Sequence, residues 1–159
     1  MLRISKITDY GIVALTTMGR HEADLPLTAR DVSEGSGLPL PTVSKILKTL
    51  TRAGILVSHR GTKGGYTLSR VAGDISVAEV ITALEGPISV TECTDHGHAG
   101  ECDHESGCPV RGHWQVINRA IVGALQGITV AEMMLTEPVQ ITADRDAPVP
   151  EFVSIEEER

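Results

Sequence analysis

The chain has 159 residues, a formal net charge of −7, 41% hydrophobic residues and a mean hydropathy of +0.02, a profile that fits an ordinary soluble globular domain and calls for no membrane segment. Three cysteines cannot pair off into a disulfide framework, so clustered thiols here point to metal or redox chemistry in a reducing compartment. The negative charge is an average: residues 1–70 carry ten Lys or Arg against five Asp or Glu, residues 71–136 two against nine, and residues 137–159 two against seven, which leaves the first half as a candidate polyanion binder.

Met1 to Tyr10 interleaves Arg3, Lys6 and Asp9 with apolar residues and lacks the apolar run of a signal peptide, so a cytoplasmic protein is expected. Ile4 to Met18 has helical periodicity through Ile7, Ala14 or Leu15, and Met18. Thr28 suits the N-cap of a short second helix that stops near Gly35 to Gly37. A third helix starts around Pro41 and runs to Ala53, with Gly54 as its stop and Val43, Ile46, Leu47 and Leu50 as its apolar stripe. Ile55 to Val57 and Tyr66 to Leu68 flank a glycine-rich turn and predict a β-hairpin. Helix, short helix, turn, helix and hairpin in that order is a winged helix-turn-helix plan. The expected fold class is therefore mainly α with a small β-hairpin: a winged helix-turn-helix followed by a long helix suited to dimerisation.

Ser76 to Leu84 predicts a further short helix, and Thr91 to Pro109 has no periodicity. Val110, Trp114, Ile117, Ile121 and Leu125 mark a long amphipathic helix whose stripe is too continuous for a solvated one, which favours burial against a second copy. Core packing within one chain is the alternative. Residues 137–159 are acidic, hold three prolines, and predict a disordered tail. The expected segments are a DNA-binding domain over 1–86, a ligand-binding loop over 87–109, a dimerisation helix and short terminal helix over 110–136, and the tail.

With its stripe inward, the third helix turns Pro41, Thr42, Ser44, Lys45, Lys48, Thr49 and Arg52 outward. Short polar side chains near its start suit base edges in the major groove of double-stranded DNA, and the cations further along suit phosphates. Arg60 and Lys63 add charge at the hairpin tip. A solvated basic helix beside an ordinary turn is the plainer alternative.

Cys93, Cys102 and Cys108 are separated by eight and then five residues, and with His96, His98 and His104 they put six thiol or imidazole groups into sixteen residues. Thiolates are soft ligands for iron–sulfur clusters or zinc, and these long spacings fit a loop wrapped around a cluster better than the tight pairs of zinc fingers. The alternatives are a zinc-stabilised protein-interaction module and a thiol redox protein. No Cys-x-x-Cys pair supports the latter, and no nucleophile with a base partner points to an enzyme.

The start LRISKITDYGIVAL, the wing RGTKGGYTLS leading into SVAEVITALEG, and the three-cysteine loop followed by a helix and ITVAEM resemble the IscR and NsrR (Rrf-type) family of bacterial iron–sulfur regulators, over residues 1 to about 136. The opening is most like the branch regulating SUF cluster assembly. The resemblance implies a homodimeric transcription regulator, a repressor of cluster-assembly genes, whose DNA affinity follows a [2Fe–2S] or [4Fe–4S] cluster on Cys93, Cys102 and Cys108. The spacing of the first two cysteines is longer than the family's usual value, and Ser44 stands where some members carry an acidic base-selecting residue. For the fourth ligand, His113 lies two residues beyond the family's histidine position, which Arg111 fills here. Asp9, in ITDYG, matches an aspartate that some members contribute across the dimer, and is the favoured candidate from the partner chain. A role for Asp9 in complementing the first helix's dipole is the structural alternative.

Overall fold

The computed structural model describes residues 4–21, 25–61, 64–91, 94 and 108–135. The expected hairpin-tip Lys63, the loop residues Cys93 and Cys102 with the loop histidines, and the acidic tail lie outside the described residues.

Helix α1 (Lys6–Gly19) opens on Ser5, whose hydroxyl accepts from the Thr8 N–H at 3.3 Å. Helix α2 (Ala29–Ser36) opens on a capping box: Thr28 caps the Asp31 N–H while the Asp31 carboxylate accepts from the Thr28 N–H at 2.8 Å. These bonds, the Thr28 hydroxyl first, hold the Asp31 carboxyl below its ordinary value. Helix α3 (Leu40–Arg52) carries Pro41 in its first turn, where the missing N–H leaves no gap in the ladder. Its Val43, Ile46, Leu47 and Leu50 are fully buried against Ala14, Leu15 and Met18 of α1 and Val32 of α2.

The hairpin pairs β1 (Leu56–His59) with β2 (Gly65–Leu68), in a register that sets Leu56 opposite Leu68 and His59 opposite Gly65. The α1–α2 connection adds a bridge to it: Leu27 and Tyr66 exchange backbone bonds of 3.0 and 2.8 Å. Gly65 is required here, since a Cβ would lie 2.6 Å from the Leu27 carbonyl oxygen. Gly61 opens the turn at φ +106°, a conformation open to glycine and strained for other residues.

A 3₁₀ turn (Ala72–Asp74) leads to α4 (Val77–Glu85), whose Ser76–Glu79 capping box is reinforced by an ion pair from Arg70 to Glu79. Val77, Val80 and Ile81 complete the core from this side. At the far end of α4, the Glu85 carboxylate accepts from the Ser5 N–H at 3.0 Å and from the Thr8 hydroxyl, and so ties the end of α4 to the start of α1. These bonds, led by that from Thr8, lower the Glu85 pKa.

Helix α5 (Arg111–Gln126) then packs along α4 and has no fully buried residue, with Leu125 near its end resting against the core. Helix α6 (Val130–Met133), capped by Thr129 and Glu132, returns: Val130 is fully buried in the winged-helix core, and Val77 N–H to Ile128 O and Val130 N–H to Ile75 O, both 2.8 Å, join it to α4. Residues 110–135 thus hold one helix that lies along α4 and one that closes the core. No helix among the described residues is long and apolar enough to cross a membrane.

Candidate nucleic-acid interface and cysteine site

The site begins with the stripe inside α3. Because Val43, Ile46, Leu47 and Leu50 all point into the core, helical geometry turns Thr42, Lys45, Lys48 or Thr49, and Arg52 onto the opposite face at three- and four-residue intervals. Pro41, Lys45, Lys48 and Arg52 are exposed, and Thr42, Ser44 and Thr49 are half-buried. The Thr49 hydroxyl donates to the Lys45 carbonyl at 3.1 Å, which holds it close to the helix surface. Among the described residues none of Lys45, Lys48, Arg52 and Arg60 pairs with a carboxylate; the ion pair present there joins Arg70 to Glu79. Four unneutralised cations on α3 and the wing give a positive face without internal counter-charge.

Arg60 is exposed at the end of β1, directly before the turn. Sequence reasoning passed over His59, its neighbour. The imidazole is exposed on the hairpin and its Nε2 lies 2.9 Å from the Thr67 Oγ1, a pairing across the strands that an alternation count of polar residues would have suggested. It also left Arg70 unassigned. The structure gives that cation a holding role, since its Nε donates to the Asp74 carbonyl at 3.0 Å while its guanidinium meets Glu79.

The cysteine-bearing stretch is anchored at both ends on α5. At its start Asn118 bonds the backbone of Ile88 and Val90, and at its end the Arg111 N–H donates to the Cys108 carbonyl at 3.3 Å. Cys108 is a free thiol, half-buried, one turn ahead of α5, in neither the core nor a disulfide. A soft donor with an open side at a loop–helix junction suits ligation of a cluster. His113 is exposed on the first turn of α5, and Asp9 is exposed on α1. Among the described residues no three His, Cys, Asp or Glu side chains come together, so Asp9, Cys108 and His113 of one chain form no common group there.

Relatives agree with the fold. The chain is 31% identical over 144 residues to the HTH-type transcriptional regulator IscR of Serratia proteamaculans, covering 91% of this chain and 86% of that protein. It is 32% identical over 144 residues to IscR of Photobacterium profundum, covering 91% and 82%. Among solved structures, IscR of T. potens superposes with a TM-score of 0.62 at 27% identity, covering 84% of this chain and 86% of that one. CymR, the global cysteine regulator of B. subtilis, superposes at 0.65 with 25% identity, covering 84% and 97%. Fold, basic face and relatives define a winged-helix, DNA-binding transcription regulator. The chain belongs to the Rrf2 family, described as iron-dependent transcriptional regulators, whose profile matches residues 4–136.

Proposed function

We propose that this regulator acts as a repressor of iron–sulfur assembly genes in the cytoplasm, as a homodimer, with DNA affinity set by an iron–sulfur cluster. The observation that carries the reading is that residues 88 and 90, shortly before Cys93 in the sequence, and Cys108 are both bonded to α5, a helix with no buried residue of its own. Cys93, Cys102 and Cys108 hold the cluster, with Asp9 of the partner chain as the favoured fourth ligand and His113 as the alternative. When bound, the cluster ties three thiolates of one loop together and so restricts the conformations that loop can take.

The chain's own packing supplies the rest. Helix α5 packs on α4 and α4 on α3, so a displacement at the cysteine loop reaches the helix carrying Lys45 and Lys48 through two helix interfaces. Thr42 and Ser44 approach base edges; Lys45, Lys48, Thr49, Arg52 and the wing cations Arg60 and Lys63 bind phosphates. Val110, Val116 and Ile117 stay 47%, 49% and 42% exposed, and Ile4, Ile81, Trp114, Ile121 and Leu125 line an open groove of about 750 Å³ along α5. A second copy's helix gives both surfaces a partner. On this reading residues 1–86 bind DNA, 87–109 hold the cluster, 110–136 dimerise and 137–159 form the acidic tail.

The test is a visible absorption spectrum of protein purified without oxygen, taken with iron and sulfide analysis. Cluster charge-transfer bands with matching iron and sulfide support the reading. A colourless protein carrying zinc returns the zinc-stabilised interaction module, and a colourless protein without metal returns the thiol redox protein.

A further inference from the structure

The chain between α4 and the cysteines is held by two polar side chains instead of by a ladder of secondary structure. Asn118, seven residues into α5 and about 10 Å from its start, uses both ends of its amide. Its Nδ2 donates to the Ile88 carbonyl at 3.2 Å, and its Oδ1 accepts from the Val90 N–H at 3.1 Å. The Thr94 hydroxyl meets the same Val90 N–H. It accepts from the Val90 and Thr91 N–H groups, both at 3.2 Å, has the Thr91 hydroxyl as a longer donor at 3.4 Å, and donates to the Thr91 carbonyl at 2.7 Å, so neither its proton nor its lone pairs go unused. Thr94 is only 6% exposed, while the core around α1 and α3 lies elsewhere. A buried hydroxyl is tolerated because it is bonded, and here its bonds among the described residues go to residues 90 and 91.

Two side chains thus converge on one backbone amide, Val90, and the residue directly before Thr94 is Cys93. Asparagine has no advantage in a helix interior, so its place in α5 is explained by the segment it grips. The bonds made by Asn118 and Thr94 lie in the stretch that leads to the first cysteine, and the last cysteine meets the same helix two turns earlier.

We infer that Asn118 and Thr94 are positioning residues of the cysteine site: Asn118 fastens residues 88 and 90 to α5, and Thr94 locks the turn at residues 90 and 91, directly ahead of Cys93 in the sequence. The inference rests on the cluster reading above for what the thiols hold, and on hydrogen-bond geometry alone for the latch itself. Its consequence is that losing the Asn118 bonds releases residues 88 and 90 from α5 while the Cys108 carbonyl stays bonded at the start of that helix.

The test uses the full chain with Asn118→Ala, Thr94→Val and Thr94→Ser, in two arms. In apo protein, hydrogen exchange at Val90 and Thr91 should accelerate about tenfold in Asn118→Ala and Thr94→Val, with α1 to α3 unchanged and with Thr94→Ser close to wild type. In reconstituted protein, cluster loss to excess iron chelator, followed by visible absorption, should accelerate about tenfold in the same two variants and recover in Thr94→Ser. Unchanged exchange at Val90 overturns the latch, as does faster exchange spread evenly over α1 to α3, which marks a general loss of stability. Faster local exchange with an unchanged rate of cluster loss also overturns it, because the contacts would then hold a loop without positioning a ligand. If wild-type protein takes up no iron and sulfide, the cluster reading falls while the exchange arm still decides the latch.

Discussion

In α3, Val43, Ile46, Leu47 and Leu50 are shut away from solvent within one chain, whereas α5, longer by three residues and just as regularly striped, buries none of its own. The two helices show that amphipathic periodicity identifies a face to be covered without saying what covers it. The winged-helix part closes its core internally and borrows α6 to do so, through Val130. The α5 part is finished from outside, on the reading given above by a second copy and a cluster.

The sharpest way to break that contrast is to disrupt one apolar side chain in each stripe. Leu47→Ala should cost about 2–5 kcal/mol in chemical denaturation, because the site is sealed and a cavity remains. Ile117→Asp should leave the helical content in place and shift sedimentation from dimer to monomer. A monomeric wild-type protein, or an Ile117→Asp variant that remains dimeric, would place the contact elsewhere.

A comparable division holds for the cysteines. Replacing Cys93, Cys102 or Cys108 by Ala should remove most or all of the cluster with helix content retained, since the core does not run through the loop. A single variant with full iron and sulfide stoichiometry strikes that cysteine from the ligand set. The fourth position separates two candidates: Asp9→Ala should alter the cluster's spectrum or stability and His113→Ala leave it nearly unchanged, and the reverse pattern restores the histidine.

On the basic face the effect is smaller and reads out through salt. Lys45→Ala and Lys48→Ala should weaken binding to all DNA sequences and lower the slope of log affinity against log salt by about one unit per lost phosphate contact, while Thr42→Ala relaxes base selectivity. Unaltered affinity and slope in both lysine variants would remove α3 from the interface.

The smallest expected effect is on pH dependence. Asp31, Glu79, Glu85 and Glu132 all have lowered pKa values, chiefly through hydrogen bonds from Thr28, Ser76, Thr8 and Thr129 respectively. A carboxylate depressed in the folded state stabilises it above the unfolded value and loses that contribution as pH falls through the folded one. Glu85→Gln should therefore narrow the stability difference between pH 7 and pH 3, as measured by urea denaturation at each pH. An identical difference in the variant would mean that the tie between α4 and α1 does not titrate with folding.

Much of the fold was legible because its signals are local: Thr28 before α2, Ser76 before α4, the α3 stripe, and glycines around the wing. Two of the capping boxes could have been recognised outright from Ser76–Glu79 and Thr129–Glu132 at their fixed spacing. The return of α6 into the core was hidden because it depends on a contact between Val130 and residues over fifty positions earlier, such as Ile75. The grip of Asn118 on Ile88 and Val90, and that of Glu85 on Ser5 and Thr8, were hidden for the same reason: a polar side chain in a helix announces nothing about the distant backbone it satisfies. Of the proposed site, the spacing of α3's cations could be read from periodicity, and the thiols from composition.

On the proposed reading, the α5 half controls the DNA affinity of the winged-helix half. The direct measurement is anaerobic binding of the protein to its own upstream DNA, with cluster loaded, with cluster removed, and with Cys93→Ala, at one fixed salt concentration. Dissociation constants for the loaded and cluster-free forms should differ at least about tenfold, with Cys93→Ala matching the cluster-free form. Equal affinity in all three would contradict it.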